Sequence, residues 1–574
     1  MNLHNVTSEF LSLIKLPEPS CKRLNYLIVM PKQTAMDTKY LFPVGMGMVS
    51  SALKVSGRNV HTLNLTYKED PDEILRHAIM ENKIDVLATG GLSGEYTQIW
   101  RIIDIAKAVN PKIKIIIGGG IITAEPVIAM KAFEIADYGI IGEGEISINN
   151  LAYALETQEA LSSVCGIVFH DGIDFQVSPP QKEIFNLDCL PYPDYDGFEF
   201  NMLLEKKHLG PVGGLGTGAM IATSRSCPYN CTFCFHTSGK KYRRRSLNNV
   251  FAEIEWLRSK YNFKHIHILD ELFGRDNDWV VEFCQRIKPM CIEFTISIRV
   301  DMVSSSLLRM LRDSGCLVAG FGVEHIHDNI LRSMKKNITK EQIEYAFQIA
   351  KENNIHAIGG IIIGDVNETA DTARDAINWW RDNRNYNITL NQLLVFPGSQ
   401  VYKDAVRLGF IIDEVQYLRD GCPTLNITQM DRKIFKQIMN EMAWHRSIFE
   451  DPKNNVDPDK LSNALNELSK KYTVCIWPAV YDNINFFSQF STDFWEKVFL
   501  INLLPEQSML QGIFEEFSKK IYTPDIINEQ NIQVVICPRH TKITQIRELC
   551  NDYHSVNKVV TIPQLVEWAE HGFA

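Results

Sequence analysis

The stretch AMIATSRSCPYNCTFC (Ala219–Cys234) joins a short apolar run to a loop that holds three cysteines. The apolar run predicts a buried β-strand, so the cysteines follow directly after the carboxyl end of that strand. Five similar runs come later, separated by segments with helical periodicity: HIHILD, EFTISI, LVAGFGVE, HAIGGIIIG and ITLNQLLVF. Six such units within residues 216–409 predict a partial (β/α)6 barrel of the TIM type, with its chemistry at the carboxyl ends of the strands.

The region before the barrel also alternates strands with helices. Runs such as LNYLIVMP and IKIIIGGG are short and apolar, which predicts a parallel sheet with helices on both faces. We therefore predict a leader over 1–22 and a Rossmann-like (flavodoxin-like) domain over 23–160. The segment 161–215 is rich in proline and turn-forming residues, which predicts a linker that crosses a surface.

Two smaller regions follow the barrel, and the whole chain is predicted to be an α/β protein. Residues 410–470 are predicted to be mostly helical, and 471–574 form a small Rossmann-like α/β domain. This last domain has no Gly-x-Gly-x-x-Gly motif, and Pro478 and Ala479 stand where a glycine-rich turn would be expected. A structural or partner-binding role is therefore favoured over nucleotide binding.

Composition excludes several classes of protein. The 574 residues are too many for one core, and a net charge of -10 argues against a general nucleic-acid binder or a protein of anionic membrane surfaces. The apolar runs are too short to span a bilayer, and the first residues do not resemble a signal peptide. Thirteen cysteines, ten of them scattered singly, favour a reducing cytoplasm over a disulfide framework. Oligomeric state is not indicated by the sequence.

Three kinds of site compete for the cysteine loop. Disulfide pairing would leave one of the three cysteines over and would need an oxidising compartment. Structural zinc normally takes four ligands, and no fourth cysteine follows at finger-like spacing, although His236 lies near. A four-iron, four-sulfur cluster held by three thiolates would leave one iron open to a substrate or cofactor.

The loop resembles the signature of the radical S-adenosylmethionine (SAM) superfamily, Cys-x3-Cys-x-aromatic-Cys, with Phe233 as the aromatic residue. The resemblance implies that Cys227, Cys231 and Cys234 bind a [4Fe-4S] cluster whose open iron chelates the amino and carboxylate groups of SAM. An electron from the cluster would cleave a carbon–sulfur bond and release a 5'-deoxyadenosyl radical. The electron would come from a partner such as flavodoxin or ferredoxin.

The resemblance also implies further SAM contacts at the ends of the barrel strands. The aromatic residue of the signature would lie along the adenine, two carboxylates after the second strand would hold the amino group, and an arginine after the third would hold the methionyl carboxylate. A carboxylate after the fourth strand would accept bonds from the ribose, and a glycine-rich fifth strand would lie beside the adenine. The alternative for each is an ordinary ion pair or close packing at the barrel rim. The residues concerned are Phe233, Asp270, Glu271, Arg299, Glu324, Gly360 and Gly364.

The run KKYRRR (Lys240–Arg245) is the strongest concentration of charge in the sequence. Such a run is usually a solvated surface. The alternative is an anion site near the cluster, for example for a phosphorylated substrate.

The N-terminal region, over Leu24–Leu155, resembles the cobalamin-binding domain that precedes many radical SAM barrels. The resemblance is carried by LSGEYTQIW, IKIIIGGG and ADYGIIGEGEISINNL. A corrin ring needs a broad flat floor, which small residues at strand ends provide. The predicted floor consists of Ser93, Gly94, Gly118, Gly119, Gly120, Gly142, Glu143 and Gly144. The alternative is a flavodoxin-like domain that binds nothing or binds another ligand.

One departure from the cobalamin pattern affects cobalt. The motif Asp-x-His-x-x-Gly, which supplies a histidine to cobalt, is absent, and His61 and His77 do not fit it. Cobalt would therefore be five-coordinate or carry water, with the loop Met30–Pro43 covering that face.

Together these features predict a cobalamin-dependent radical SAM methyltransferase that acts on an unactivated carbon of a small molecule. A natural product or a sugar-nucleotide-like substrate is favoured, and no general base is nominated because the cofactors carry the chemistry. Three alternatives stay open. They are a cyclisation or rearrangement without methyl transfer, a radical SAM enzyme whose N-terminal domain binds no cobalamin, and a zinc- or cluster-bearing binding protein without turnover.

Overall fold

The structure of the protein is a computed structural model that describes residues 7–32, 42–66, 68–205, 218–450, 456–477, 494, 497–501, 521–538 and 543–573. The chain divides into two compact units. The first extends to Gly360 and also includes Asn385–Ile388 and Val395–Cys422. The second comprises Ile361–Arg384, Thr389–Leu394 and the chain from Pro423 onward.

The first sheet has seven strands in the order β2-β1-β3-β4-β5-β6-β7. The first five strands are parallel, as expected from their apolar runs, and β6 and β7 add to β5 as antiparallel neighbours. The sheet therefore continues past the predicted domain end at 160. Its strands are β1 Asn25–Met30, β2 Asn59–Asn64, β3 Val86–Gly90, β4 Lys114–Gly118, β5 Tyr138–Ile140, β6 Ile167–His170 and β7 Phe175–Val177.

Helices cover this sheet, and local sequence signals fix their ends. The Asp70 side chain accepts a hydrogen bond from the Glu73 N–H and caps the helix that begins at Pro71. The helix that precedes β2 ends at Val55 because Gly57 takes a φ of 82°, in the left-handed region. The helices are α1 Ser8–Leu13, α2 Val44–Val55, α3 Pro71–Glu81, α4 Tyr96–Val109, α5 Gly120–Ala124, α6 Pro126–Ala132 and α7 Gly144–Thr157, with 3-10 turns at Ser93–Glu95 and Leu161–Ser163.

The connection to the barrel does not simply cross a surface, so that prediction is wrong for residues 195–200. Tyr195, Phe198 and Phe200 are buried, and the Tyr195 hydroxyl contacts the Met220 carbonyl and the Glu253 carboxylate. The prolines indicated a loop, but the aromatic residues between them pack into the core. This segment contains a 3-10 turn at Leu187–Cys189 and α8 at Phe200–Glu205.

The second sheet is the predicted partial barrel, with six strands in the order β8-β11-β12-β13-β14-β15. The pairs β8–β11, β11–β12 and β12–β13 are parallel. Two short strands, β9 Ser224–Arg225 and β10 Arg243–Arg244, form a separate antiparallel pair. The barrel strands are β8 Ala219–Ile221, β11 His265–Ile268, β12 Glu293–Ile298, β13 Cys316–Glu324, β14 His356–Ile363 and β15 Ile388–Gln392.

The helices that accompany these strands follow the expected βα alternation. Each of the long ones begins at a polar cap, for example Ser246, whose hydroxyl accepts a hydrogen bond from Asn249. They are α9 Leu247–Lys260, α10 Asn277–Ile287, α11 Ser305–Asp313, α12 Asp328–Ser333, α13 Lys340–Glu352, α14 Ala370–Asp382, α15 Gln400–Arg407 and α16 Glu414–Arg419, with 3-10 turns at Lys288–Met290, Val300–Met302 and Arg384–Tyr386.

The C-terminal part holds a parallel five-stranded sheet in the order β18-β17-β16-β19-β20, which is a Rossmann-like order. Pro478 and Ala479 lie outside the described residues. The strands are β16 Val474–Ile476, β17 Val498–Ile501, β18 Ile521–Tyr522, β19 Val534–Ile536 and β20 Lys558–Val560. The helices are α17 Arg432–Glu450, α18 Pro458–Lys471, α19 Ile526–Glu529, α20 Ile543–Cys550 and α21 Ile562–Glu570.

Among the residues described, no helix has the length and apolar character needed to cross a membrane. No disulfide joins any of the cysteines in the same set of residues.

Candidate functional site

The cysteine loop is a closed loop held at its base by the β9–β10 pair. Arg225 pairs with Arg243 across this base. Ser226, the residue before the first cysteine, takes a φ of 66°, and its hydroxyl donates to the carbonyls of Ser238 and Gly239. The left-handed backbone at Ser226 turns the chain sharply out of the strand, so the loop begins at a defined point beyond β8.

The three cysteine side chains differ in exposure and in acidity. Cys231 is buried, Cys227 is half-buried and Cys234 is exposed. The hydrogen bond with the Cys234 thiol, helped by the charges of Lys336 and Arg299, outweighs burial and the charge of Glu324 and lowers the pKa of Cys231 to about 7. Because the thiolate is the form that binds metal, this environment suits a metal ligand.

The donor set, three thiolates within eight residues, fits a [4Fe-4S] cluster with one open iron. Within the part of the chain that the structure describes, no three His, Cys, Asp or Glu side chains converge as the ligands of one metal ion would. The three thiolates of a [4Fe-4S] cluster need not point at one metal atom, because each binds a different iron of the cluster.

His236, the fourth ligand considered for zinc, already uses both ring nitrogens. Nδ1 lies 2.8 Å from Glu271 Oε2, and Nε2 lies 3.1 Å from the Tyr229 carbonyl oxygen. The hydrogen bond to Glu271 raises the pKa of His236. The same contact fixes the Glu271 side chain, so its predicted contact with SAM stays a prediction.

Asp270 is buried and anchors the end of β8. Its Oδ1 accepts from the backbone N–H groups of Thr223 and Ser224 at 2.7 and 3.0 Å, and its Oδ2 accepts from their hydroxyls at 2.5 and 2.7 Å. Burial raises the pKa of Asp270. Both oxygens are thus occupied by the strand that leads into the cysteine loop, and contact with the amino group of SAM stays a prediction.

Arg299 and Glu324 lie in ion pairs under the cysteine loop. The Arg299 guanidinium contacts Asp301 at 2.9 and 2.8 Å and lies 3.8 Å from the ring centroid of Tyr229. Glu324 pairs with the Lys336 ammonium at 2.7 Å. The sequence pointed to Arg299 and Glu324 by their position at strand ends. It gave no signal for Lys336, which looks like an ordinary surface lysine beside Lys335.

Three further predicted SAM contacts have simple environments. Phe233 is half-buried in the cysteine loop, and Gly360 is half-buried in β14. Gly364 follows β14 with a φ of 121°, and a Cβ there would lie 3.3 Å from the Leu393 Cβ. Glycine is therefore required at 364 by the backbone, while contact of these residues with SAM stays a prediction.

The basic run Lys240–Arg245 is not a solvated surface throughout, because its three arginines are paired with carboxylates of the protein. Arg244 pairs with Asp276 at 3.0 Å, and Arg245 pairs with the buried carboxylate of Glu253. Arg243 is buried against Glu143. All three arginines are neutralised by carboxylates of the protein, and the two lysines are exposed.

A cavity of about 550 Å³ lies at the carboxyl ends of the first sheet. Its lining includes residues of the cysteine loop and its base, among them Ser226, Thr237 and Ser238. Six of the eight predicted floor residues line it, whereas Ser93 and Gly94 do not. The six are Gly118, Gly119, Gly120, Gly142, Glu143 and Gly144.

Close backbone approach explains some of the glycines in and beside this floor, whereas a Cβ at Gly118 or Gly142 would meet nothing within 4 Å. A Cβ at Gly90 would lie 2.2 Å from the Gly118 carbonyl oxygen, and a Cβ at Gly119 would lie 2.8 Å from that of Gly91. Gly90 and Gly91 line the cavity but were not selected from the sequence, although the run DVLATGG contained the signal. A floor of bare backbone fits a large flat macrocycle.

The deeper part of the cavity is apolar. Ile28, Ala88 and Ile116 of the strands face Val49 and Ile148 of α2 and α7 across it. This slot between sheet and helices suits an apolar part of a bulky ligand. Of the loop predicted to cover cobalt, Met30, Pro31 and Pro43 line the cavity, and 33–41 lie outside the described residues. Neither His61 nor His77 lines it.

A buried ion network joins the glycine floor to the base of the cysteine loop. Glu143 accepts from Arg225 at 2.6 Å and from Arg243 at 2.8 Å, and Arg225 also donates to Glu145. Burial would raise the pKa of Glu143, but the two arginines outweigh it and hold that pKa below its ordinary value. The sequence placed Glu143 in the floor without indicating these partners.

Comparison with known families agrees with these two sites. The model of the radical SAM superfamily matches residues 221–379, and the model of the B12 binding domain matches residues 37–152. The chain is a radical SAM enzyme with a B12-binding domain. Its cofactors are a [4Fe-4S] cluster, SAM and cobalamin, as predicted.

Several proteins are similar to this radical SAM enzyme. An uncharacterized methyltransferase of Pyrococcus horikoshii is 28% identical over 329 residues, which cover 56% of this chain and 69% of the relative. Cytidylyl-2-hydroxyethylphosphonate methyltransferase of Streptomyces wedmorensis is 22% identical over 66% of this chain and 80% of its own. Anaerobic magnesium-protoporphyrin IX monomethyl ester cyclase of Rubrivivax gelatinosus is 26% identical over 59% of this chain and 62% of its own.

Among solved structures, the fold is similar to that of the cobalamin-dependent SAM radical enzyme OxsB with aqua-cobalamin and SAM bound. The TM-score is 0.61 at 15% identity, and the match covers 93% of this chain and 85% of the other. The predicted α/β fold class is confirmed, and so is the prediction of a cobalamin-dependent radical SAM methyltransferase class.

Proposed function

We propose that this enzyme transfers a methyl group from SAM to an unactivated carbon atom of a small molecule. The cavity between the glycine floor and the cysteine loop carries this proposal. Gly120 of the floor and Thr237 of the cysteine loop are so close that a Cβ at 120 would lie 3.2 Å from the Thr237 Cγ2. Two cofactors held at these places would open on one shared space, as methyl transfer between them requires.

Each side chain has a task in this proposal. Cys227, Cys231 and Cys234 would hold the cluster, and the glycine floor would support the corrin. When bound, the cluster with SAM supplies a radical that abstracts hydrogen, and cobalamin supplies the methyl group. Arg299, stacked on Tyr229, would keep the loop against the barrel. The apolar slot would keep water away from the part of a ligand that fills it, which would protect a radical from quenching.

The substrate class proposed is a nucleotide-linked or related natural-product intermediate. The similarity to a methyltransferase whose name includes a cytidylyl group supports this, as does the Rossmann-like strand order of the C-terminal sheet. We further propose that the enzyme works in a reducing cytoplasm with flavodoxin or ferredoxin as electron donor. A cluster with an exposed thiolate such as Cys234 would need those conditions.

A second candidate is a cyclisation that uses the same cofactors without methyl transfer. The similarity to magnesium-protoporphyrin IX monomethyl ester cyclases favours it. Product mass separates the two candidates, because methylation adds one CH2 to the substrate and leaves S-adenosylhomocysteine behind, whereas cyclisation does neither.

The test of the proposal is anaerobic reconstitution with iron, sulfide and hydroxocobalamin, followed by absorption spectra and a SAM-cleavage assay with a chemical reductant. Replacing Cys231→Ala should abolish formation of 5'-deoxyadenosine, because one cluster corner loses its ligand. Cys291→Ala, at an exposed cysteine outside the loop, is the matched control and should leave it unchanged. Unchanged 5'-deoxyadenosine formation by Cys231→Ala would show that the cluster assignment is mistaken.

A further inference from the structure

Both carboxylate oxygens of Glu143 accept hydrogen bonds from the protein. Its Oε1 accepts from Arg225 Nη1 at 2.6 Å and from Arg243 Nη1 at 2.9 Å. Its Oε2 accepts from Arg243 Nη1 at 2.8 Å and from the Ile184 N–H at 2.8 Å. Three donor nitrogens make these four contacts and satisfy both oxygens, which gives the carboxylate a role inside the protein, while the predicted contact of Glu143 with cobalamin stays a prediction.

Each arginine belongs to one side of the cysteine loop. Arg225 stands two residues before Cys227, and Arg243 lies on the strand that closes the loop. Arg243 also donates to the carbonyls of Ser238 and Ile184. Glu143 therefore contacts both ends of the cysteine loop at once, from a position between two glycines that line the cavity.

The network is buried, which makes stability a poor explanation for it. The side chains of Glu143 and Arg243 are 4% and 2% exposed, and those of Arg225 and Glu145 are 16% and 4% exposed. Desolvation of such charges consumes most of the Coulomb attraction, so apolar residues of similar volume would stabilise the fold as well. Directional, charge-assisted bonds do fix relative position, which apolar packing does not.

We propose that Glu143 is a positioning residue that holds the glycine floor and the cysteine loop in register, so that occupation of one cofactor site orders the other. Because this inference rests on the proposed function, it concerns how the two sites communicate and not which cofactors they hold. Glu143 acts through Arg225 and Arg243 and does not touch the reacting atoms.

The first test uses cluster-free protein, so that enzyme activity is not needed. Hydrogen–deuterium exchange of residues 226–242 is measured with and without hydroxocobalamin, in the wild type and in Glu143→Gln. We expect hydroxocobalamin to slow exchange of this loop in the wild type and to have no such effect in Glu143→Gln. The matched control is Glu156→Gln, which removes a buried ion pair with Arg58 inside the N-terminal domain and should retain the wild-type response.

The second test uses reconstituted protein with titanium(III) citrate as reductant. The amounts of 5'-deoxyadenosine and S-adenosylhomocysteine formed from SAM are measured. The latter would report transfer of the methyl group from SAM to cobalamin held on the glycine floor, with the electron pair of the broken carbon–sulfur bond staying on sulfur and titanium(III) supplying the electrons that reduce the cobalamin. Because a displacement of 1 Å costs on the order of a hundredfold in rate, Glu143→Gln should lower S-adenosylhomocysteine formation by about tenfold or more. Formation of 5'-deoxyadenosine should fall less than formation of S-adenosylhomocysteine, since the three cysteines are unchanged while the floor and the loop lose their shared carboxylate.

Two milder variants keep the inference testable if Glu143→Gln does not fold. Arg225→Lys can reach only one of the two carboxylates, and Glu145→Gln removes only one bond of the network. In both variants, loop protection by hydroxocobalamin and S-adenosylhomocysteine formation should fall less than in Glu143→Gln. The decrease should be larger in Arg225→Lys than in Glu145→Gln. Equal loop protection and equal SAM partition in wild type and variants would overturn the inference. Failure of the wild type to bind hydroxocobalamin would instead overturn the proposed function.

Discussion

Replacing Asp270 distinguishes an anchoring carboxylate from one that contacts SAM. In Asp270→Ala the backbone N–H groups of Thr223 and Ser224 lose their shared acceptor, as do both hydroxyls. In Asp270→Asn the amide oxygen still accepts from both N–H groups, and the amide nitrogen can donate to hydroxyls that reorient. Asp270→Asn therefore keeps an acceptor for the two N–H groups, whereas Asp270→Ala does not.

The magnitude follows from the two buried N–H groups. Each unsatisfied buried group costs about 1–3 kcal/mol, so Asp270→Ala should weaken the local structure by about 2–4 kcal/mol after the relief of burying a carboxyl group. At 1.4 kcal/mol for each tenfold, amide exchange of Thr223 and Ser224 should accelerate by roughly 30-fold to 1,000-fold. Asp270→Asn should change it by about fivefold or less, which corresponds to one weakened hydrogen bond.

The assay is hydrogen–deuterium exchange of a peptide that contains Thr223 and Ser224, combined with the yield of 5'-deoxyadenosine. We expect Asp270→Asn to keep both near the wild-type value, and Asp270→Ala to lose cluster binding together with amide protection. A variant Asp270→Asn with normal amide protection but a much raised KM for SAM would refute the anchoring role and favour direct contact with the amino group.

The floor and the ion network give two further predictions. Gly119→Ala places a Cβ 2.8 Å from the Gly91 carbonyl at a φ of 85°, so the cobalamin Kd should rise by about tenfold or more, equivalent to 1.4 kcal/mol. Gly172→Ala, at a φ of 104° with nothing within 4 Å, controls for backbone strain alone, and an equal effect of both would contradict the floor. The lowered pKa of Glu143 means that its ion pairs contribute stability above the ordinary glutamate pKa and lose it as pH falls through the lower, folded-state value. Thermal unfolding of wild type should therefore lose more stability between pH 5 and pH 3 than Glu143→Gln does, and parallel profiles would rule this out.

The elements of the fold could be predicted because buried parallel strands consist of short runs of apolar residues. All six barrel strands and the first five strands of the N-terminal sheet lie where such runs occur. The antiparallel strands β6 and β7 were missed because β6, although buried, has only four residues, and β7 is short and mostly exposed, so neither has a distinctive pattern. The burial of Tyr195 was missed because prolines dominate the local pattern, while its partners Met220 and Glu253 are distant in sequence.

The candidate site could be predicted in its residue types but not in its contacts. Spacing selected the three cysteines as candidate ligands, and glycines at strand ends selected the candidate floor, of which six residues line the cavity. Asp270 was placed at the end of a strand, yet its partners, the N–H and hydroxyl groups of Thr223 and Ser224 just after β8, are 47 and 46 residues away in sequence. The same limit applies to Glu143, whose partners Arg225 and Arg243 are 82 and 100 residues away.

The ion network between the glycine floor and the base of the cysteine loop affects how precisely the two cofactor sites are held. If the two cofactor sites met through apolar packing alone, small slips would cost little, because dispersion contacts have no preferred direction. Here the contact consists of two arginines and two carboxylates, each of which would be left buried and unpaired by a slip. Any shift of the floor relative to the cysteine loop would therefore raise the free energy of the folded protein. Such a junction suits a reaction in which a group must pass between two sites that are held by different domains.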